Sequence, residues 1–83
     1  MRVYHRTTVE AARAIRGDRS FLSKEQGYVF VGSRPEGYIT GYGEAVVALE
    51  VPVTLLELDD EFQDGEQHFR VPAAAIRPEW VRG

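Results

Sequence analysis

The sequence predicts an α+β domain, with one N-terminal helix followed by a mostly antiparallel β-sheet. Three observations point there. A single segment near the start combines a helix-start signal with helical spacing of apolar residues. Several later segments are short runs of β-branched and aromatic residues. Gly, Pro and Asp clusters separate those runs at the lengths that strands and turns require. With 83 residues, the chain is predicted to form a single domain over 1–83.

The elements are predicted in order. "RVYHR", residues 2–6, suits a short strand. Thr7 then stands as N-cap with Glu10 three residues on, the spacing of a capping box in which side chains and backbone N–H groups satisfy one another. Ala11, Ala12 and Ile15 continue as an apolar stripe, and Gly17 is placed as the left-handed residue that ends the helix. "SFLSKEQG" reads as a short strand or irregular stretch. "YVFVGS" is a dense apolar strand. "RPEGYITGYGE" reads as a loop with one helical turn starting at Pro35. "AVVALEVP" is a second apolar strand, which "TLLELD" is expected to continue beyond Pro52. "DEFQDG" is a turn, "EQHFRVP" a strand of alternating character, and "EWVR" a last strand.

Composition limits function. At 43% hydrophobic and 28% charged, the chain is too apolar for disorder and too polar for a membrane span. The run "AVVALEVPVTLL" is broken by Glu50 and Pro52, well short of the roughly 20 residues a spanning helix needs. Arg2, His5 and Arg6 interrupt any apolar leader, so a cytoplasmic location is expected. With no cysteine, disulfides and thiolate zinc sites are excluded. "LELDDEFQDGE" lacks the alternating acids and obligatory glycine of a calcium loop, and "GYGEA" is too short for a dinucleotide-binding glycine fingerprint. Charge is uneven. Residues 1–42 carry seven Lys/Arg against four Asp/Glu, and residues 43–83 carry three against nine. Net acidity argues against coating a nucleic acid. The basic half is suited either to one anionic ligand or to the acidic half of the same fold.

Three places join polar chemistry to a strand end: His5, the strand and turn "GYVFVGSRP", and Glu66 in "DGEQHFRVP". Alone, each has an ordinary structural explanation. Together and in order, "VYHRTTVEAARAIRGD", "GYVFVGSRPEGYITGYG" and "GEQHFRVPAAAI" resemble the three motifs of the ADP-ribosyltransferase superfamily, in its His–Tyr–Glu branch. That branch holds the poly-ADP-ribose polymerases and diphtheria-type toxins, with RNA 2′-phosphotransferases as distant relatives. The resemblance spans nearly the whole chain and implies a small split β-sheet.

It also implies NAD as cofactor-like substrate and a toxin-like or related effector that cleaves the nicotinamide–ribose bond by transfer or hydrolysis. The acceptor is left open, no membrane partner is implied, and a homodimer is compatible with so small an aromatic-rich domain. By the same resemblance, His5 bonds a ribose hydroxyl and the main chain of Arg6 holds the carboxamide. Phe30 stacks on nicotinamide, with Tyr28 sharing its face, and Tyr38 forms the second wall. Ser33 supports the ribose or the carboxylate. Glu66 supplies the catalytic carboxylate, or His68 if the register differs by two. Arg6 and Arg34 are the candidates for the pyrophosphate, which guanidinium groups bind bidentately. Strand alternation sends Glu66, His68 and Arg70 one way and Phe69 the other. With Phe69 in the core, Glu66 is expected to face a cleft or solvent. The alternatives are a non-catalytic module of the same fold, binding NAD, ADP-ribose or a protein, and an RNA 2′-phosphotransferase-like enzyme.

Overall fold

The computed structural model describes residues 1–18 and 27–83. Strand β1 (Arg2–Thr7) leads into helix α1 (Val9–Asp18), followed by β2 (Tyr28–Gly32), β3 (Ala45–Glu50), β4 (Glu57–Glu61) and β5 (Gln67–Pro72). Short 3-10 turns occupy Tyr38–Tyr42, Val53–Leu55, Ala73–Ala75 and Pro78–Trp80. The five strands form one sheet in the order β3-β1-β2-β5-β4, and every registered pair is antiparallel. The α+β class expected from the sequence is therefore found.

The helix begins one residue later than the capping signal suggested. Thr7 is the last residue of the β1–β3 ladder, opposite Ala45, and the helix starts at Val9, so the N-cap position falls one residue later. Thr8 takes over, its Oγ1 accepting the Ala11 N–H at 3.1 Å, which satisfies one of the donors a helix start leaves unpaired. Glu10 falls in the first turn, where it complements the helix dipole. Gly17 does not stop the helix, which runs on to Asp18. Of "SFLSKEQG", all but Gly27 lies outside the described residues.

Four other expectations are corrected. The helical turn after "RP" starts at Tyr38, not Pro35. The chain does not continue β3 beyond Pro52: a 3-10 turn over Val53–Leu55 redirects it, and β4 pairs with β5 as a hairpin. Part of "DEFQDG" is strand, since Asp60 and Glu61 belong to β4. "EWVR" contributes a 3-10 turn and then a single bridge between Val81 and Leu49. Pro78 opens that turn, where its missing N–H costs nothing.

One face of the sheet carries the core. Val3, Val29, Val31, Leu49, Val51, Phe69 and Val71 are buried together, covered by Leu55, Leu56, Ala73, Ile76, Trp80 and Val81 from the connecting segments. Ala12 and Ile15 of α1 pack on Val47 beside them. The apolar stripe read from the sequence thus docks the helix on β3. Ion pairs Arg2–Glu50 and Arg34–Asp64 join the basic half to the acidic half; both are exposed and contribute little.

The ladders are unequal. β1 and β3 share six registered pairs and β2 and β5 share five, but β1 and β2 meet at Tyr4↔Gly32 alone. The sheet is split there into a two-strand and a three-strand part. His5 lies beside the seam, and its Nδ1–H donates to the Phe30 carbonyl at 2.8 Å. In a closed ladder a backbone N–H of β1 would satisfy that carbonyl.

Candidate functional site

The second face of the sheet gathers the remaining motif residues. Antiparallel partners share a face, so Tyr4, Gly32 and His68 lie on one side, and His5 lies on the other with Val47. The Tyr38–Tyr42 turn crosses the second face. Its Ile39 is fully buried and packs so closely over Gly32 that a Cβ there would lie 3.1 Å from the isoleucine. A Cβ at position 32 would require the Ile39 side chain to give way.

Glu66 precedes β5 and is turned to this side. It is 0% exposed, contrary to the cleft or solvent expected of it. Oε1 accepts the Tyr38 N–H at 3.2 Å, and Oε2 accepts the Ile39 N–H at 3.1 Å and the His68 Nε2–H at 2.7 Å. Its own N–H donates to Asp64 Oδ1 at 3.0 Å. Burial pushes the Glu66 carboxyl up, but the His68 N–H and the two amides outweigh that and hold it below the ordinary carboxylate range. Alternation correctly separated Glu66 and His68 from Phe69. The Tyr38–Tyr42 turn, arriving from elsewhere in the chain, closes over them.

Around this pair runs a continuous series of rings. Tyr38 stacks on Phe62 with centroids 4.2 Å apart and planes 8° apart. Phe62 meets the His68 ring edge-on at 4.7 Å, and His68 meets Tyr42 edge-on at 6.0 Å. The Tyr42 and Phe30 ring centroids lie 6.4 Å apart with planes 16° apart. Tyr38 and Tyr42 are more than half exposed. The ring opposite Phe30 is therefore Tyr42, and Tyr38, expected as the second wall, belongs to Phe62. Tyr38 and Tyr42 are four residues apart in a 3-10 turn of three residues per turn, so they point about 120° apart. The repeated tyrosine in "GYITGYG" was the available signal for Tyr42.

The other expected residues are placed as follows. Tyr28 shares the Phe30 face, as alternation required, and lies under the Arg70 guanidinium at 5.0 Å. Ser33 Oγ accepts the Gln67 N–H at 2.9 Å, tying β2 to β5. Arg34 donates to the Asp64 carboxylate and to its carbonyl, at 2.9 and 2.8 Å. Arg6 Nε donates to the Gly43 carbonyl at 2.9 Å, next to Tyr42. Arg6, Tyr42 and Phe30 thus gather at one end of the turn, and Arg34, Asp64 and Tyr38 at the other. His5 and Glu66 turn to opposite faces of the sheet, so the register does not give them the shared pocket expected from the sequence. Among the described residues, no group of three His, Asp or Glu side chains is placed to hold a metal, and no helix is long and apolar enough to cross a membrane.

His5 also titrates below its ordinary 6.5, because burial lowers it more than its bond to the Phe30 carbonyl raises it. Folding therefore favours the neutral ring, and the stability this gives is present above the unfolded value and lost as pH falls through the folded one. The same sign holds for Glu66, in a more acidic range. The urea midpoint should be flat above about pH 7, start to fall below about pH 6.5, and fall again below the ordinary carboxylate value of 4.5. His5→Gln should abolish the first step alone. A first step that survives in that variant would remove His5 as its source.

Comparison with protein-family models, with curated proteins and with solved structures returns no match. Fold and site define a small α+β domain with a split, five-stranded antiparallel sheet, bearing an aromatic face built around a buried carboxylate–imidazole pair.

Proposed function

We propose that the domain is an ADP-ribosyltransferase-like module that binds NAD with its nicotinamide ring between Phe30 and Tyr42. The observation carrying this reading is the near-parallel pair of rings with centroids 6.4 Å apart beside the seam of the sheet. A planar ring held between two others needs about 7 Å, twice the roughly 3.5 Å contact separation of carbon atoms. A small movement of Tyr42, which is exposed, opens that spacing. Arg6 stands beside Tyr42 through its bond to Gly43, where a guanidinium can meet a phosphate.

Binding without cleavage is the outcome this geometry favours. A carboxylate that stabilises an oxocarbenium-like ribose must face it, and both Glu66 oxygens are engaged inside the protein. The second reading is cleavage of the nicotinamide–ribose bond, by transfer to an acceptor or to water. The ionised state of Glu66 supports it, because negative charge is what the developing cation requires.

Calorimetry with NAD tests the first reading. Phe30→Ala and Tyr42→Ala should each weaken binding about fivefold to 150-fold, as expected when one stacking face worth about 1–3 kcal/mol is removed. Absence of binding by the unmodified domain at millimolar NAD would overturn the reading. Release of free nicotinamide, abolished in Glu66→Gln, would establish the second reading in place of binding alone.

A further inference from the structure

We infer that Glu66 and His68 form a positioning latch, which fastens the Tyr38–Tyr42 turn to the sheet and so sets where Tyr42 stands against Phe30. Its consequence for a ligand rests on the NAD-binding reading above; the latch itself does not. The turn is built to move as a unit. Thr40 N–H and Thr40 Oγ1–H donate to the Gly37 carbonyl at 3.1 and 2.7 Å, and the Gly43 N–H donates to the Thr40 carbonyl at 3.3 Å. Both flanking residues are glycines with positive φ, +114° at Gly37 and +157° at Gly43, so the ends of the unit carry no Cβ.

Three attachments hold this unit down. The Glu66 carboxylate takes the Tyr38 and Ile39 amides at its first end. The Ile39 side chain seats over Gly32. Arg6 takes the Gly43 carbonyl at its last end. Only the first attachment uses a fully buried charge. His68 couples that charge to the aromatic face, because the ring that donates to Glu66 at 2.7 Å also meets Phe62 and Tyr42 edge-on. A change at the carboxylate therefore reaches the Tyr42 ring through one side chain and through the backbone of the turn.

Glu66→Gln tests this with little change of shape. The amide keeps one acceptor oxygen where three donors converge, and its NH2 must face one of them. Amide hydrogen exchange, read by NMR without ligand, should rise at least tenfold at Tyr38 and Ile39 while β2–β5 amides keep their protection. Phe30–Tyr42 ring cross-peaks should weaken in the same sample. Val71→Ala, a core truncation on the opposite face, should leave both readouts unchanged once global stability is accounted for.

If Glu66→Gln does not fold, acidification of the unmodified protein makes the same change. The Tyr38 and Ile39 amide shifts should then titrate with the Glu66 carboxyl and ahead of the sheet amides. The groups facing that carboxyl are His68 on β5, Tyr38 and Tyr42 of the turn, and Asp64 with its partner Arg34, and their own signals identify any of them as the source. Turn amides that follow the sheet amides in every case overturn the latch. So does an unchanged Phe30–Tyr42 contact once those amides are released. Failure of the unmodified domain to bind NAD removes the NAD reading and leaves these ligand-free readouts to decide the latch. Equal NAD affinity in the unmodified domain and a released Glu66→Gln variant overturns the link between latch and site.

Discussion

Replacing Glu66 by alanine should cost about 3–5 kcal/mol of unfolding free energy, the range for removing one partner of a buried ion pair or its equivalent. The substitution orphans the Tyr38 and Ile39 amides and the His68 Nε2–H together, and a buried donor left unsatisfied costs about 1–3 kcal/mol. The side chain is also among the largest fully buried ones in the chain, so its loss leaves a cavity. At roughly 0.05–0.15 kcal/mol per residue, a domain of 83 residues keeps little in reserve. The variant should approach unfolding at 25 °C. Urea denaturation followed by circular dichroism reads the loss, and a shift below about 1 kcal/mol would show that water reaches the three donors.

Gly43→Ala is expected to be nearly as damaging, for a backbone reason. A Cβ on Gly43 would lie deep inside van der Waals contact with the Thr7 carbonyl group. Thr7 is the last residue of β1 to pair with β3, opposite Ala45. Neither side of this contact is a flexible side chain that can turn away, so one end of the β1–β3 ladder must open. About 3 kcal/mol should be lost, at the upper end for a residue forced from its backbone conformation. Gly17→Ala provides the contrast. Gly17 is helical and nothing lies within 4 Å of its Cβ position, so that exchange should stabilise by about 0.5–1 kcal/mol. Thermal melts of the two variants should move in opposite directions, and a neutral Gly43→Ala would mean that the ladder end is already open.

Local features of this fold were legible in the sequence, and features made by distant segments were not. "YVFVG" and "AVVALE" announced β2 and β3 because buried strands are dense in β-branched residues. Ala12 and Ile15 announced the face of α1 that packs on Val47. Thr7 and Thr8 present the same hydroxyl, and only pairing with a strand nearly 40 residues away decides which one caps. The site divides in the same way. Alternation put Tyr28 beside Phe30 and His68 opposite Phe69, because that rule is local. The burial of Glu66 depends on amides of Tyr38 and Ile39, 28 and 27 residues distant. Arg34 looked available for a phosphate because Asp64, its partner, lies 30 residues further on.

The outer edges of the sheet are treated differently. Beside β3, the C-terminal segment supplies the Val81 bridge and an Arg82 N–H to the Ala48 carbonyl. Beyond β4 no strand lies among the described residues, and all five of its residues are exposed, four of them Glu57, Asp59, Asp60 and Glu61. Two molecules meeting edge to edge there would crowd eight carboxylates into one seam. Mutual repulsion there opposes edge-to-edge pairing, and a crowded solution of the domain should stay dispersed at neutral pH.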